Sequence, residues 1–176
     1  MSTAVARPRT GPPPTPSSIS SPRNFFPRDR YHPHHQSSQT AIAGISRGGL
    51  AAAYAYSRYP DIFGNVLAQS GTYNWRAEDE PGDVSLIEQY RRSPRLLRFW
   101  LDVGMLENMP MPYMDGLTLV EASRRLRDVL RDKGYPVDYS EFCGAHDYAC
   151  WQGTISDGLV TLFNQDYTAH REEAGR

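Results

Sequence analysis

The segment Gly44–Gly48 reads GISRG, so a serine stands midway between two glycines in the pattern G-x-S-x-G. An apolar run precedes this segment, and an alanine-rich stretch with helical character follows it. In a nucleophile elbow a strand turns sharply into a helix, which presents the serine hydroxyl and requires small residues on both sides. The pattern therefore predicts Ser46 as a nucleophile, with the backbone N–H of Arg47 at the helix start as an oxyanion donor. The alternative interpretation is a structural turn.

A nucleophilic serine needs a general base, and histidine suits that role because its pKa lies near neutral pH. His146 follows a predicted strand, on a loop at the carboxyl edge of the sheet, where open α/β folds bind ligands. The remaining histidines lie in polar segments near the two termini: His32, His34, His35 and His170. We therefore predict His146 as the base. The alternative is a loop imidazole that is hydrogen-bonded to a backbone carbonyl.

The third member, a carboxylate that orients the base, is expected between serine and histidine in the chain, after the third predicted strand. Three residues compete for this role: Asp102, Glu107 and Asp115. Asp102 lies within the strand, and Asp115 is placed to cap the next helix. Glu107 lies on the loop beyond the strand, which is the better position from which to reach an imidazole, and it is the acid that we favour. Asp147, next to the histidine, is expected to fix its loop.

Composition narrows the class of protein. A length of 176 residues suits one domain, and a net charge of −1 gives no reason to expect nucleic acid or an anionic membrane as a partner. No stretch approaches the roughly 20 apolar residues of a membrane span, and the first residues lack the apolar region of a secretory signal. The two cysteines, Cys143 and Cys150, are expected to be reduced thiols. We therefore expect a cytoplasmic protein without a metal site or a cofactor.

The chain divides into three parts. Residues 1–38 are rich in proline, serine and arginine, and we expect a disordered tail because they cannot bury enough apolar surface. Residues 39–166 alternate strands and helices, which indicates an α/β domain with a parallel sheet of about four strands and flanking helices. Residues 167–176 form a polar C-terminal tail. The expected strands are 40–44, 65–69, 96–103 and 137–142, and the expected helices follow the serine and cover 84–92, 117–133 and 148–163.

Five segments together resemble the enterochelin-esterase-like branch of the esterase D family of α/β-hydrolases. In chain order they are IAGISRGGL (42–50), RYPDIFG (58–64), QSGTYNW (69–75), LDVGMLE (101–107) and GAHDYACW (144–151). The resemblance implies an α/β-hydrolase fold, with Ser46 as nucleophile, His146 as base and Glu107 as acid. It also implies hydrolysis of carboxylic esters without a cofactor, and ferric-siderophore lactones are the best-known substrates of the branch.

One difference from the family concerns the region before the elbow. Family members carry a further half-domain there, which supplies the first strands of the sheet and a loop that donates one oxyanion-hole N–H. Residues 1–38 have no such pattern. We therefore expect a truncated sheet in which strand 40–44 is an exposed edge, open to self-association. The alternative function is a catalytically incompetent hydrolase fragment or a binding module, and acyl transfer to another alcohol is a third possibility.

Four aromatic residues lie on the loops after the second and fourth strands: Tyr73, Trp75, Tyr148 and Trp151. Their rings could stack on an aromatic part of a small-molecule ester, while Arg47 or Arg76 pairs with a negative charge on it. The alternative is that these rings pack the loops onto the sheet. Both roles stay open at the level of the sequence.

Overall fold

The computed structural model describes residues 37–76, 84–92 and 98–164. The predicted N-terminal tail up to residue 36 and the predicted C-terminal tail lie outside these ranges. In the described residues, strands and helices alternate along the chain, and every strand runs parallel to its neighbours. This arrangement confirms the α/β class and the parallel sheet that the sequence predicts.

Within the described residues the sheet has four strands, arranged side by side in chain order. They are β1 (Ala41–Ile45), β2 (Asn65–Gln69), β3 (Arg98–Gly104) and β4 (Val137–Phe142). Their ends lie within two residues of the predicted ones, which is the usual precision of such boundaries. Every residue of β2 is buried, because helices cover the sheet on both faces. The carboxyl ends of the strands share one edge, so the loops that follow β1, β3 and β4 meet there.

In the part of the chain that the structure describes, four helices cover the sheet: α1 (Arg47–Arg58), α2 (Leu86–Arg92), α3 (Leu119–Asp132) and α4 (Tyr148–Phe163). Helices α1, α2 and α3 pack side by side in that order on one face. Helix α4 packs on the opposite face against β2 and β3, where a Cβ added at Gly158 would lie 2.8 Å from Leu67 and Trp100. Glycine therefore permits this close approach. No helix in the described ranges is long and apolar enough to cross a lipid bilayer.

The main core lies between the sheet and helices α1 to α3. Its centre is a group of aromatic rings in stacked or edge contact at centroid distances of 5.5–6.3 Å. The group consists of Tyr56, Tyr90, Phe99 and Tyr135, none of them more than 4% exposed. Burial of these rings joins α1, α2 and β3 to the chain that leads into β4, and so fixes the sheet whose edge carries the loops after β1, β3 and β4.

Helix α3 is capped by hydrogen bonds at both ends. Thr118 begins a capping box with Glu121, whose backbone N–H donates to the threonine hydroxyl at 3.0 Å. At the other end Gly134 has a φ of 80°, and the N–H groups of Gly134 and Tyr135 donate to carbonyls of the last turn in a Schellman motif. The prediction that Asp115 caps this helix is wrong. Asp115 ends a short 3₁₀ turn before the cap, with its backbone in the left-handed conformation.

Strand β1 is the edge of the described sheet, because it pairs there with β2 alone. Its central residue, Ala43, is exposed. Just before β1, a 3₁₀ turn over Ser37–Gln39 is tied to the sheet, since Asn65 Nδ2 donates to the Ser38 carbonyl at 2.8 Å. The turn thus packs against the sheet, and the tail boundary at residue 38 stays a prediction. Self-association through residues 40–44 stays a prediction.

Candidate active site

Ser46 lies between the end of β1 and the start of α1. Its φ of 56° and ψ of −119° belong to a region that residues other than glycine seldom adopt. The surrounding chain holds this conformation, because the Ser46 N–H donates to the Gln69 carbonyl at 2.8 Å and the Ser46 carbonyl accepts from Leu50 at 3.1 Å. The strained turn presents the hydroxyl at the carboxyl edge of the sheet, as a nucleophile elbow requires.

The glycines around Ser46 are not equivalent. A Cβ added at Gly44 would overlap the backbone carbonyl of Gly48, so the strand and the helix can cross only if Gly44 has no side chain. A Cβ at Gly49 would lie 3.1 Å from the Gln69 carbonyl oxygen, which is a tight contact, whereas one at Gly48 would meet nothing within 4 Å. The expectation that crowding requires both outer glycines is correct for Gly44 and wrong for Gly48. The second crowded position is Gly49.

The loops after β3 and β4 bring a carboxylate and an imidazole to Ser46. His146 Nε2 lies 3.0 Å from Ser46 Oγ, and His146 Nδ1 lies 2.7 Å from Glu107 Oε2. The Glu107 side chain is 1% exposed and the His146 side chain is 39% exposed. An ionised carboxylate only accepts hydrogen bonds, so this contact keeps the imidazole proton on Nδ1 and leaves Nε2 free to accept from the serine hydroxyl.

Glu107 is held in place by donors on its second oxygen. Glu107 Oε1 accepts from the backbone N–H of Gly104 at 2.8 Å and from Ser70 Oγ at 2.6 Å. The acid loop is also tied to the base loop, because the Leu106 N–H donates to the Gly144 carbonyl at 3.0 Å. The carboxylate is therefore oriented within the protein itself, which is the preorganisation that catalysis by such a group requires.

Asp102, the first rival for the acid, lies within β3 and is fully buried. Its Oδ2 accepts from Thr154, Gln69 and Trp100 at 2.7, 3.1 and 3.3 Å, whereas its Oδ1 has no hydrogen-bond partner. Burial raises the pKa of this carboxyl, and hydrogen bonds from the three donors offset only part of the rise. Asp102 therefore joins β2, β3 and α4 beneath the site, and none of these bonds reaches His146.

Asp115 and Asp147 also have partners other than the imidazole. Asp115 is exposed and accepts from Arg76 at 2.8 Å, and this hydrogen bond lowers the pKa of the Asp115 carboxyl. Asp147 caps helix α4 by accepting from the backbone N–H of Cys150 at 3.0 Å, and that bond lowers the pKa of Asp147. Of the three candidate acids, Glu107 is the one that the structure brings to the histidine.

Asp102→Asn is expected to raise the free energy of unfolding near neutral pH by about 1–2 kcal/mol, because a neutral amide removes the cost of a buried carboxylate with one unpartnered oxygen. The pKa of Asp102 is higher in the folded state than in the unfolded state. The free energy of unfolding of the unmodified chain therefore falls as the pH rises from the ordinary pKa of an aspartate to the raised pKa of Asp102 in the folded state. The gain from the substitution should shrink as the pH falls below that window. Urea unfolding of both proteins across this pH range measures the difference.

Asp157→Asn is the matched control for this substitution. Asp157 lies on the exposed side of α4, so the change alters net charge equally without touching the buried network. Its pH dependence of stability should follow that of the unmodified chain. A gain for Asp102→Asn that grows towards acid pH, or that also occurs for Asp157→Asn, would contradict the role given to the buried charge.

Two of the four aromatic residues expected at the substrate are buried. Tyr73 is 0% exposed, and its hydroxyl donates to the Ala68 carbonyl at 3.2 Å, so it packs the loop onto the sheet. Trp151 is 4% exposed, and its ring stands perpendicular to that of His146 at a centroid distance of 4.7 Å. The prediction of ligand stacking is therefore wrong for Tyr73 and for Trp151, because neither presents a ring face to solvent.

The other predicted substrate contacts are more accessible. Tyr148 is 74% exposed, and the edge contact of its ring with Trp151, at 5.4 Å, leaves much of the ring open. Trp75 is half-buried in an edge contact with Tyr54 at 5.7 Å. Arg47 is exposed at the start of α1. Of these three predicted substrate contacts, Tyr148 and Arg47 are exposed to solvent and Trp75 is half-buried.

The start of α1 also supplies a backbone donor. Arg47 is the first residue of the helix, so its N–H has no acceptor within the helix and can face an oxyanion. Among residues 37–76, 84–92 and 98–164 it is the one oxyanion donor that we assign. Cys143 and Cys150 are both free thiols. Within those residues, no group of three or more His, Cys, Asp or Glu side chains is arranged to hold a metal ion.

A parallel sheet with a strained serine between strand and helix, followed by an acid and then a histidine on later loops, defines the α/β-hydrolase class. The chain shows this arrangement at Ser46, Glu107 and His146. The profile of the family described as "Putative esterase" matches residues 28–162, and the chain belongs to this family. The membership confirms the esterase family that the sequence segments resemble.

Similar proteins include named esterases. The chain is 33% identical over 128 residues to an iron(III) enterobactin esterase of Escherichia coli O6:H1, and this match covers 71% of the chain and 30% of the relative. The enterobactin esterase from Shigella flexneri, solved in the presence of enterobactin, superimposes with a TM-score of 0.60 at 32% identity, over 74% of the chain and 32% of that protein. The chain thus spans about a third of the length of these relatives. A ferulic acid esterase superimposes with a TM-score of 0.63 at 18% identity, over 83% of the chain and 59% of that protein, a likeness of fold alone.

Proposed function

We propose that this chain is a serine esterase that hydrolyses carboxylic esters through a Ser–His–Glu triad. The observation that carries the proposal is the continuous chain of contacts from Glu107 through His146 to Ser46, at 2.7 and 3.0 Å. Three residues that lie far apart in the chain meet at one edge of the sheet, in the order that α/β-hydrolases use. Membership of the esterase family supports the same chemistry.

In the proposed reaction Ser46 Oγ attacks the ester carbonyl carbon while His146 Nε2 takes the hydroxyl proton. The oxyanion that forms accepts from the Arg47 N–H, and the Glu107 carboxylate stabilises the imidazolium beside it. Nε2 then gives its proton to the leaving oxygen, which departs as an alcohol and leaves an acyl-serine. Water attacks the acyl-serine by the same steps, and the acid product is released. These steps require no cofactor.

The proposed substrates are small-molecule esters with an aromatic, negatively charged acyl part, including ferric-siderophore lactones of the enterobactin type. The names of the E. coli and S. flexneri relatives support this choice. Tyr148 is exposed and lies two residues after the proposed base, so its ring can contact an aromatic ring of the substrate. Arg47 is exposed and follows the proposed nucleophile, so its guanidinium can contact a negative charge of the substrate. Iron would arrive here as part of the substrate. The cytoplasmic location and the absence of nucleic-acid and membrane partners stay predictions.

A second candidate is a binding module that does not turn its ligand over. The observation that favours it is the single oxyanion donor assigned in the described residues. Removal of one donor from an oxyanion hole lowers kcat by about 10²–10³-fold. Such a chain would bind an ester near Ser46 and Tyr148 and release it unchanged.

Turnover of p-nitrophenyl esters and reaction with an ester-like phosphonate separate the two candidates. The esterase proposal requires repeated release of p-nitrophenolate and the addition of one phosphonyl group to Ser46, located by peptide mass spectrometry. The binding module would give neither turnover nor a stable adduct. Thermally unfolded chain is the control, since it has the same serines without the triad. Adducts at other serines only, or turnover that persists after complete labelling of Ser46, would contradict the esterase proposal.

A further inference from the structure

Ser70 lies directly after β2 and is fully buried beside the acid. Its Oγ is 2.6 Å from Glu107 Oε1, which also accepts from the backbone N–H of Gly104 at 2.8 Å. Two donors therefore converge on one carboxylate oxygen. The other oxygen, Oε2, is left to face His146. The orientation of the acid thus depends on a serine that does not touch the imidazole.

Trp151 fixes the direction of the Ser70 proton. Its Nε1 donates to Ser70 Oγ at 2.9 Å. An indole N–H can only donate and an ionised carboxylate can only accept, so the single proton of the Ser70 hydroxyl must point to Glu107. The three groups form a directed hydrogen-bond chain that ends on the carboxylate and excludes the opposite orientation of the hydroxyl.

The same tryptophan contacts the base. Its ring stands at 87° to the ring of His146, with the centroids 4.7 Å apart. Trp151 is 4% exposed, and the helix that carries it is capped by Asp147, the neighbour of His146 in the chain. One buried side chain therefore packs against the imidazole directly and reaches the acid through Ser70.

The backbone of Ser70 is strained, with a φ of 50°. Its N–H donates to the Asp102 carbonyl at 2.8 Å, which holds this conformation at the end of the strand. Glycine would adopt such a φ at lower cost. The chain instead carries a residue whose hydroxyl bonds to Glu107, so the strain coincides with a side-chain contact to the triad.

We propose that Ser70 and Trp151 are positioning residues of the triad: they orient Glu107, which in turn orients His146. This inference rests on the proposed esterase function. Ser70→Ala should lower kcat about 10- to 100-fold, the range expected when a hydrogen bond to a charged group is lost. KM should change little, because Ser70 is buried and meets no substrate.

A double-mutant cycle with Glu107→Gln distinguishes positioning from a structural role. If Ser70 acts through the acid, Ser70→Ala should cost little further activity in the Glu107→Gln background. If it acts independently, the two losses multiply. Ser123→Ala is the matched control, because Ser123 is equally buried in α3 and its hydroxyl has no hydrogen-bond partner. Its kcat should equal that of the unmodified chain.

A second measurement needs no turnover. A proton shared between His146 Nδ1 and Glu107 gives a far-downfield ¹H NMR signal in the free protein, because the hydrogen bond is short and charge-assisted. The signal should be retained in Ser123→Ala and should shift or broaden in Ser70→Ala. Trp151→Phe, which keeps a ring but removes the N–H, should give the same change and replaces Ser70→Ala if that variant does not fold.

The two measurements separate the two proposals. A chain that hydrolyses no ester but shows the expected NMR changes contradicts the esterase function and supports the positioning role. A downfield signal that is unchanged in both Ser70→Ala and Trp151→Phe overturns the positioning role. Losses of kcat that multiply in the double-mutant cycle overturn it as well.

Discussion

Ser46→Ala is expected to lower kcat for ester hydrolysis by about 10⁶-fold, and His146→Ala by a similar factor. Without the serine hydroxyl no acyl-enzyme forms, and without Nε2 at 3.0 Å the hydroxyl keeps its proton. Because the two side chains act in one step, the double variant should be no slower than either single variant. Steady-state hydrolysis of p-nitrophenyl butyrate by the three purified variants measures these effects.

Ser156→Ala is the matched control for the nucleophile. Ser156 is exposed on α4, away from the elbow, so kcat and KM should equal those of the unmodified chain. Thermal unfolding of each variant shows whether it is folded at the assay temperature. If Ser46→Ala hydrolyses the ester as fast as the unmodified chain, the esterase proposal has to be abandoned, whatever the other variants show.

The meeting of Ser46, Glu107 and His146 could be predicted from the sequence, because the patterns that indicate it are local or topological. The elbow is a local pattern, in which a glycine-flanked serine joins a strand to a helix. The positions of Glu107 and His146 follow from topology, since parallel strands place their carboxyl ends on one edge and the loops after β3 and β4 must meet there. The structure brings both side chains to Ser46.

The fold was predictable for a related reason. A strand covered on both faces is a short apolar run, and α3 has the apolar spacing of an amphipathic helix. Both patterns are local and do not depend on distant residues. The described strands and helices therefore lie where the sequence predicts them, within two residues. The buried face of α3 is read from its own spacing of apolar residues.

Loop side chains were harder to predict, because no periodicity tells where they point. Tyr73 and Trp151 have the composition of a stacking site, but tertiary packing turns one towards Ala68 and the other towards Ser70. The link between Ser70 and Glu107 spans 37 positions in the chain and depends on a positive φ that no motif marks. Asp115 is held by Arg76, a partner that only the folded loops bring near.

Which glycines at the elbow are crowded could be predicted only in part from the sequence. The motif treats its two outer glycines alike, whereas in the fold one of them lies between strand and helix and the other faces open space. The distinction depends on the angle at which β1 and α1 cross, which is a property of the packed sheet.

Gly44→Ala is expected to lower the free energy of unfolding by about 3 kcal/mol or more and kcat by at least about 100-fold. A Cβ there would overlap the carbonyl of Gly48, and because the obstacle is backbone, no change of rotamer relieves it. The strand and the helix would have to separate, which moves Ser46 Oγ away from His146 Nε2. Urea unfolding and ester hydrolysis on the same preparations measure the two effects.

Gly48→Ala is the control, since it adds the same methyl group to the same motif where nothing lies within 4 Å. The position is helical and has no positive φ, so the substitution should leave stability unchanged or raise it by about 0.4–1 kcal/mol through the unfolded state. If both substitutions destabilise the chain equally, the motif needs glycine at Gly48 for a reason other than crowding. If Gly44→Ala is tolerated, β1 and α1 do not cross as closely as described. In that case the strained conformation of Ser46, which depends on this crossing, would lose its structural basis.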